Sequence, residues 1–409
     1  MGKKERIVCG LDVGTEKVCC LVARVRPDGR TEVLGSGYAR SAGLKKGIIV
    51  DLERAASAIR KAAQEAELKS KRSVDWVTVG VSGNHIESLN CHGAVSINGK
   101  HHEVTAEDVA QVIKAAQTAA IPPERQIIHV LPQEFFLDER GDIRNPVGLT
   151  GTRLDLDLHI VTSDTALTQN LINAVNKAQM RVRKAILPQL ASAQAVLTDD
   201  EKELGTVLID IGGGTTDIAL ITRDALRYSA VLPVGGAHFT RDLAVGLRTS
   251  IDEAERIKKE FGCVLVDDIA GDDVIQVAGI ATRKMRDVAR RTLCQILRHR
   301  AVELLELIKD QIARAGCRDP LVSGAVLTGG GSMLEGMLVL AEEFLGMPVR
   351  QGLPQDIPGL ADELVHPVYA TAIGLAMLAI HEGGTRRSHP GKASTIPWFV
   401  SRFLSWVGS

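Results

Sequence analysis

No apolar run in this sequence approaches the roughly 20 residues that a helix needs to cross a bilayer, so a membrane-spanning segment is not expected. The opening Met1-Gly2-Lys3-Lys4-Glu5-Arg6 is followed by no long apolar stretch of the kind a secretory signal carries. The 7 cysteines form an odd set without a single CxxC pair, which argues against a disulfide framework and against a zinc site. Neither sign of charge dominates: 49 Lys and Arg against 50 Asp and Glu leave a net charge of −1, and nucleic acid is not expected as a partner. Two phosphate-binding signatures are missing as well. There is no GxxxxGK[ST] and no strand–GxGxxG–helix unit, so phosphates would have to be held by something other than a P-loop or a dinucleotide fold. Aromatic residues make up 3% of the chain, yet Trp398, Phe399, Phe403 and Trp406 all fall within its last 12 residues. What remains is an ordinary soluble composition, read as cytosolic. With 409 residues, 45% of them apolar, it can fill the cores of two or more domains.

Glycine is plentiful, and its placement is the most informative feature present. In Val207-Leu208-Ile209-Asp210-Ile211-Gly212-Gly213-Gly214-Thr215-Thr216-Asp217 an apolar run ends in a carboxylate, followed by three glycines, two hydroxyls and a second carboxylate. This is the pattern of a buried strand entering a turn whose main-chain N–H groups can approach an anion closely. A carboxylate at a strand end suits a hard divalent cation held through water. A weaker copy stands near the start, Val8-Cys9-Gly10-Leu11-Asp12-Val13-Gly14-Thr15. Two such turns point to two similar halves gripping one metal–polyphosphate from opposite sides, with Asp12 and Asp210 facing the metal. Gly14, Thr15, Gly212, Gly213, Gly214, Thr215 and Thr216 would then line the phosphates. A tight hairpin with no ligand is the plain alternative for either turn taken singly.

Two further glycine clusters fit the same purpose. Val326-Leu327-Thr328-Gly329-Gly330-Gly331-Ser332 again follows an apolar strand. Small residues there let a flat ring lie against the backbone, and a following helix N-terminus would favour a phosphate. Gly235-Gly236 opens a helical region that runs to about Phe261, in which Glu255, Lys258 and Lys259 stand at i, i+3 and i+4. Charges at that spacing usually mark a solvated face; a ribose or base contact is the sharper reading.

Along the chain, strands are expected over 6–11, 18–25 and 32–39, a helix opening at Asp51 and a strand over 74–82. Residues 84–164 read as an insertion, with a helix of about 15 residues from Ala106 and a strand over 155–161. A helix over 165–179, a strand over 182–187 and a helix over 188–197 follow, and 199–203 is an acidic joint. The second half continues with strands over 218–222 and 226–232 and a long helical stretch over 283–315, unbroken by Pro or Gly. A strand over 325–328, a helix, and a last core helix over 368–380 complete it. The architecture expected is α/β, in two lobes.

The order of Asp-turn, Gly-rich Asp-turn, Gly-Gly-helix and Thr-Gly-Gly-Gly-Ser resembles the actin-like ATPase superfamily, of ribonuclease H-like fold. Within it, Gly80-Val81-Ser82-Gly83-Asn84-His85-Ile86-Glu87-Ser88, His129-Val130-Leu131-Pro132-Gln133-Glu134-Phe135 and His159-Ile160-Val161-Thr162 resemble the FtsA division proteins over nearly the whole chain, tail included. MreB filaments, heat-shock chaperones and sugar kinases carry other insertions elsewhere. The resemblance implies that a subdomain 1C stands in place of 1B. Subdomain 1A would comprise 1–83, 165–203 and 363–383; 1C, 84–164; 2A, 204–232 and 301–362; 2B, 233–300. A linker would cover 384–395 and an amphipathic membrane-targeting helix 396–409. It implies ATP with Mg2+ between the halves, actin-like filaments, and the C-terminal tail of FtsZ as a partner docking on 2B. Recruitment of later division proteins at the division site, on the cytoplasmic side of the membrane, is implied too.

One residue bears on chemistry. Many members of the superfamily place a Glu or Gln that orders the attacking water at the start of the helix expected over 188–197, and Gln189 stands there. Asp12, Asp210 and Gln189 are therefore the catalytic candidates, in a slow ATPase at most.

The tail and one basic stretch complete the reading. Trp398, Phe399, Phe403, Leu404, Trp406 and Val407 group at helical spacing, with Ser401, Arg402 and Ser405 on the other side, the pattern of an interfacial helix. From Thr385 onward there are Arg386, Arg387, Lys392 and Arg402 and no acidic residue, which favours an anionic membrane surface by about 1 kcal/mol per charge. A helix docked on the protein's own core is the plain alternative. The stretch from Arg283 is strongly basic, and Arg286 and Arg300 are candidates for contacting the FtsZ tail. Two rival readings stand beside this one. A PilM-type pilus assembly protein needs no lipid helix of its own, and a small-molecule kinase needs a catalytic base in the first half that is not evident.

Overall fold

A computed structural model describes residues 5–26, 30–117, 121–280, 284–317, 319–355 and 358–381. Two five-stranded sheets share one design. In the first, Arg6–Val13, Lys17–Val25 and Thr31–Arg40 form an antiparallel meander, and Trp76–Gly80 and then Arg181–Ile186 extend it in parallel. In the second, Thr206–Ile211, Thr216–Thr222 and Ala225–Leu232 form the meander, and Ala325–Thr328 and then Val349–Gln351 extend it in parallel. Every residue of Thr206–Ile211 and Thr216–Thr222 is buried, as befits strands covered by helices on both faces. Two apolar cores result, one under each sheet.

Helix packing beneath the first sheet sets up the site. Ala370–His381 lies against Pro188–Val196 so closely that a Cβ on Gly374 would stand 1.8 Å from Ala191 O. The absent side chain lets the two backbones touch. That contact brings Ser192 Oγ within 3.0 Å of Thr371 Oγ1.

The insertion is a separate four-stranded sheet ordered Glu87–Ser96, Arg153–Asp164, Arg125–Leu137 and Arg140–Ile143. Its helix, Ala106–Ala116, is capped by a reciprocal Thr105–Asp108 box and buries Val109, Val112, Ile113 and Ala116, the face its periodicity selects. The sheet leans on the edge strand of the second half: Gln133 Nε2 donates to Leu226 O at 2.7 Å, and His159 Nε2 lies 3.0 Å from Ser229 Oγ. Arg223 pairs with Asp142 and Arg144 with Asp224, so the two hairpin tips exchange ion pairs. Between them and the first half lies a cavity of about 960 Å³ lined by Leu131, Phe135, Leu190, Ile221, Leu226 and Leu378, away from all the glycine turns.

Several elements differ from the sequence reading. The helix expected over 283–315 begins at Arg290; Met285–Ala289 is a strand paired with Val274–Ala278, and Arg286 stands on that hairpin. Absence of Pro and Gly permits a helix but does not outvote a partner strand supplied from elsewhere in the chain. The region 236–261 is two helices, Gly236–Gly246 and Ile251–Phe261, parted at Arg248, whose φ is 44°. The strands Glu87–Ser96 and Arg125–Leu137 carry no clean alternation and escaped the sequence reading. Among the described residues no helix is long and apolar enough to cross a membrane.

Candidate functional site

The two Asp-turns are the same hairpin made twice. Asp12 pairs with Cys19 and Val13 with Val18; Asp210 pairs with Asp217 and Ile211 with Thr216. Each turn is closed by the same bond, Gly14 N–H to Lys17 O at 2.9 Å and Gly212 N–H to Thr215 O at 2.9 Å. The tips meet across the gap between the halves. A Cβ on Gly214 would lie 2.4 Å from Thr15 Oγ1, and one on Gly213 would lie 2.3 Å from Glu16 Cγ. Thr15 thus faces the third residue of the opposite turn and Glu16 faces its second, the crossed pairing that a local two-fold axis produces. Glycine is required at 213 and 214 because any side chain would wedge the turns apart.

The other glycine clusters close on the same point. Gly236 N–H donates to Gly212 O at 2.9 Å and Ala237 N–H to Gly213 O at 2.8 Å. Gly329 stands behind Asp210 with φ of 80°, where a Cβ would be 2.3 Å from Asp210 Oδ1. A side chain is doubly disfavoured there, by the left-handed backbone and by the carboxylate. Gly330 and Gly331 continue into a short 3-10 turn ending at Met333, and the α-helix starts only at Met337, so no α-helix N-terminus abuts this cluster. Ser332 Oγ donates to Gly329 O at 2.7 Å and so braces the turn. On the far wall, Glu255 pairs with Lys258 at 2.6 Å and Lys259 at 3.1 Å. Lys258 Nζ also reaches Gly236 O at 3.1 Å and Thr240 Oγ1 at 2.8 Å.

Three carboxylates stand at the base. Asp12 pairs with Lys17 at 3.2 Å, and Lys17 also donates to Val368 O and lies over the Tyr369 ring. Burial is the largest single influence on the Lys17 ammonium and would lower it, but Asp12, Cys19 and Asp210 together outweigh it and the net shift is upward. Asp210 accepts from Ser192 at 2.7 Å and Thr371 at 3.0 Å. Burial raises its carboxyl, these hydroxyls oppose the rise, and Asp12 adds to it. Asp217 is pushed up to about 7, first by burial and then by Asp210, against hydrogen bonds from Ser82 and Thr215.

Gln189 is 1% exposed and donates from Nε2 to Asp217 Oδ1 at 3.0 Å and to Ala230 O at 3.2 Å. Its Oε1 is buried with no hydrogen-bond partner among the described residues. Such a group costs about 1–3 kcal/mol unless something fills its place. The amide therefore points at the second hairpin, with an acceptor left open.

The arrangement fits a metal-bound polyphosphate on its donor set. The amides of Thr15, Glu16, Gly213 and Gly214 make no backbone hydrogen bond among the described residues, leaving four donors at the two tips for an anion. No cluster of three or more His, Cys, Asp or Glu able to hold a metal occurs among those residues. A divalent ion would then be held by phosphate oxygens and by water bound to Asp12 and Asp210, as Mg2+ prefers.

All the predicted cleft residues thus come together, with Lys259 on the outer side. Lys17, Ser82, Ser192 and Thr371 join them without being expected from the sequence, and Asp217, in the sequence only a second carboxylate, proves to be buried beside Gln189. Lys17 was legible, three residues after Gly14; Ser192 and Thr371 carry no local signal. Arg286 donates to Leu247 O, and Arg300 holds Asp242 in a bidentate pair at 2.6 and 3.1 Å, both away from the cleft. Trp398, Phe399, Phe403, Leu404, Trp406 and Val407 lie outside the described residues.

Comparison with known proteins shows the family and the fold. The family model for cell division protein FtsA matches residues 207–374, and that for the SHS2 domain inserted in FtsA matches residues 83–162. The chain is 41% identical to the FtsA of Pseudomonas aeruginosa, covering 92% of this chain and 90% of that one. It is 36% identical to the FtsA of Escherichia coli K12, covering 98% and 97%. Among solved structures it is similar in fold to a PilM–PilN type IV pilus biogenesis complex, with a TM-score of 0.66 at 16% identity over 91% of this chain and 98% of that one. It is also similar to MreB5 of Spiroplasma citri bound to ADP, with a TM-score of 0.54 at 14% identity over 91% and 96%. An actin-like body with two facing acid-tipped hairpins, an SHS2 insertion after the first sheet's fourth strand, and this degree of identity over nearly its whole length place the chain in the FtsA family of cell division proteins.

Proposed function

We propose that this protein is an ATP-dependent division adaptor that assembles into actin-like filaments on the cytoplasmic face of the membrane. There it tethers FtsZ filaments through their C-terminal tails and recruits later division proteins. The observation that carries the nucleotide part is the convergence of three glycine clusters on Asp210 with Asp12 on the opposing hairpin. Asp12 and Asp210 would hold the water shell of Mg2+. The tip amides and Lys17 take the phosphates, Gly329 to Ser332 back the base, and Glu255 with Lys258 meet the ribose. Mg2+, when bound, would supply neutralisation of phosphate charge.

Turnover, where it occurs, rests on Gln189 and Asp217. The open Oε1 of Gln189 orients a water, and Asp217, poised near neutrality, accepts its proton. Both act on one face of the second hairpin, while Ser192 and Thr371 keep Asp210 fixed. Phosphoryl transfer is mainly positioning and charge stabilisation, so a site with one amide and one carboxylate supports a slow ATPase and a principal role in assembly.

In this reading the nucleotide lies between subdomains 1A and 2A, the insertion is 1C, and the FtsZ tail docks on 2B near Arg286 and Arg300. The amphipathic segment over 396–409 supplies the membrane contact. A single short helix binds reversibly, and a filament carrying many copies binds by avidity, so assembly and attachment reinforce each other. The likeness to PilM is one of fold, and the family relationship favours the division role. The test is a lipid monolayer loaded with the full chain, ATP and Mg2+: membrane-bound filaments that capture FtsZ are expected, and bare lipid under those conditions overturns the proposal.

A further inference from the structure

Glu16 is the one acidic residue at the tip of either hairpin, and its position is unusual. The second hairpin has glycine at all three turn positions, 212 to 214, so its tip carries no side chain of its own. Glu16 fills that vacancy from the other half. Its Cγ and Cβ lie 2.3 and 2.9 Å from where a Cβ on Gly213 would be. The carboxylate is therefore delivered to the second half's wall across the cleft. The same stretch of backbone carries the opposite wall: Gly213 O accepts from Ala237 N–H and Gly212 O from Gly236 N–H, and Gly236 O accepts from Lys258. A Cβ on Gly236 would lie 3.7 Å from Lys258 Nζ and 3.9 Å from Gly213 Cα, so the Glu16 side chain on Gly213 shares this wall with Lys258 and its partner Glu255, and the charges of Arg40 and Lys259 act on it too.

The carboxylate of Glu16 has no hydrogen-bond or ion-pair partner among the described residues, whereas Glu255 holds Lys258, Lys259 and Thr240. Glu16 is open to the cleft, yet desolvation against the facing wall, and next the charge of Glu255, hold its carboxyl above its ordinary value. An unpaired carboxylate beside a second one is a poor neighbour for a phosphate and a good one for a diol. Two hydroxyls donate to it, satisfy its lone pairs and add no negative charge. Phosphates, by contrast, are favoured on the side of the tips that the main-chain N–H groups and Lys17 face, towards a metal at Asp12 and Asp210, and the Glu16 side chain extends away from its own N–H towards Gly213.

We infer that Glu16 reads the ribose diol of the bound nucleotide, acting from the first half as a specificity-determining partner to Glu255 and fixing which end of the nucleotide faces the metal. This deepens the nucleotide reading above and rests on it. A carboxylate-to-hydroxyl bond is a charged one, and losing it costs about tenfold or more in affinity.

The experiment compares binding of ATP, 2′-deoxy-ATP and 3′-deoxy-ATP, each with Mg2+, to the full-length wild type, Glu16→Ala and Glu16→Gln. The wild type is expected to favour ATP over at least one deoxy analogue by about tenfold. Glu16→Ala should cut that preference at least about threefold, leaving the part that Glu255 and Lys258 supply, with a smaller loss for 3′- or 2′-deoxy-ATP than for ATP. Glu16→Gln keeps the size of the side chain, and should lose most of the preference while melting at the wild-type temperature. An unchanged preference in both variants, or a wild type that binds ATP and both analogues equally, overturns the inference and leaves the nucleotide site standing. A wild type that binds none of the three overturns the site itself, and this inference with it.

Discussion

Gln189 Nε2 donates to Asp217 Oδ1 at 3.0 Å while the other end of the same amide, Oε1, is buried without a partner. One half of the amide is fixed by the second hairpin and the other is left to a molecule that must enter. Gln189→Ala is expected to reduce ATP turnover tenfold or more and to change ATP affinity by less than about threefold, because the role proposed for it is to orient the attacking water and not to hold the nucleotide. Single-turnover phosphate release and equilibrium binding separate the two. Wild-type release is expected below about one per second, since efficient phosphoryl-transfer enzymes work at 1–100 per second.

Asp217 supplies a pH prediction. Its carboxyl is raised to about 7, by burial first and by Asp210 next, so the folded state holds a proton that the unfolded chain releases near pH 4. A group whose folded value is raised contributes stability below its unfolded value and loses it as pH climbs towards 7. Thermal melts should therefore show Asp217→Asn gaining on the wild type between pH 5 and pH 8, by roughly 2–4 °C for each kcal/mol recovered. Turnover should run the opposite way in the wild type, rising through pH 7 as the base ionises, and should be flat and low in the variant.

Gly213 and Gly329 test the close approach of the walls. Gly213→Val should hold the hairpins apart at Glu16, and Gly329→Ala should press a methyl on Asp210 while forcing alanine to a φ of 80°. Each is expected to weaken ATP binding at least a hundredfold. Gly329→Ala should also lower stability by about 1–3 kcal/mol, the ordinary cost of a strained backbone position. Retention of wild-type affinity in both would mean that the tips do not hold the phosphates.

Removal of residues 396–409 should leave ATP binding as it was and abolish co-sedimentation with anionic liposomes. Persistent sedimentation would assign membrane contact to another part of the chain. In the full-length protein, raising the salt concentration should weaken binding if the basic residues from Arg386 onward meet anionic lipid as proposed, because salt screens such attraction.

Arg286 and Arg300 together are expected to matter for the FtsZ tail. Arg300 is already committed to Asp242 and Glu303, so its substitution frees two acids as well as removing a cation. Replacing both arginines by alanine should weaken binding of a tail peptide at least fivefold, measured by fluorescence anisotropy. Unaltered binding would remove this face from consideration.

Much of the cleft was legible in the sequence because its parts are local. A strand, a carboxylate and a run of glycines can be read from neighbouring letters, and Asp12, Asp210 and the glycines from 212 to 214 carry that pattern in full. Gln189 was legible through its place at the start of a helix, but where its amide points was not. That depends on Asp217, held by Ser82 from a loop far away in the chain. Met285–Ala289 shows the same limit: its letters permit a helix, and the strand Val274–Ala278 decided otherwise.

The sequence by itself determined the two Asp-turns, the glycine clusters, the helix faces and the absence of a long apolar span, since each follows from spacing along a few turns of backbone. Only the tertiary structure decided that the two hairpins meet tip to tip, that Ser192 and Thr371 converge on Asp210, and that Glu16 completes the opposite wall. Those relations join residues remote in the chain. They are fixed by how closely two sheets and two helices can pack, a distance that no local pattern encodes.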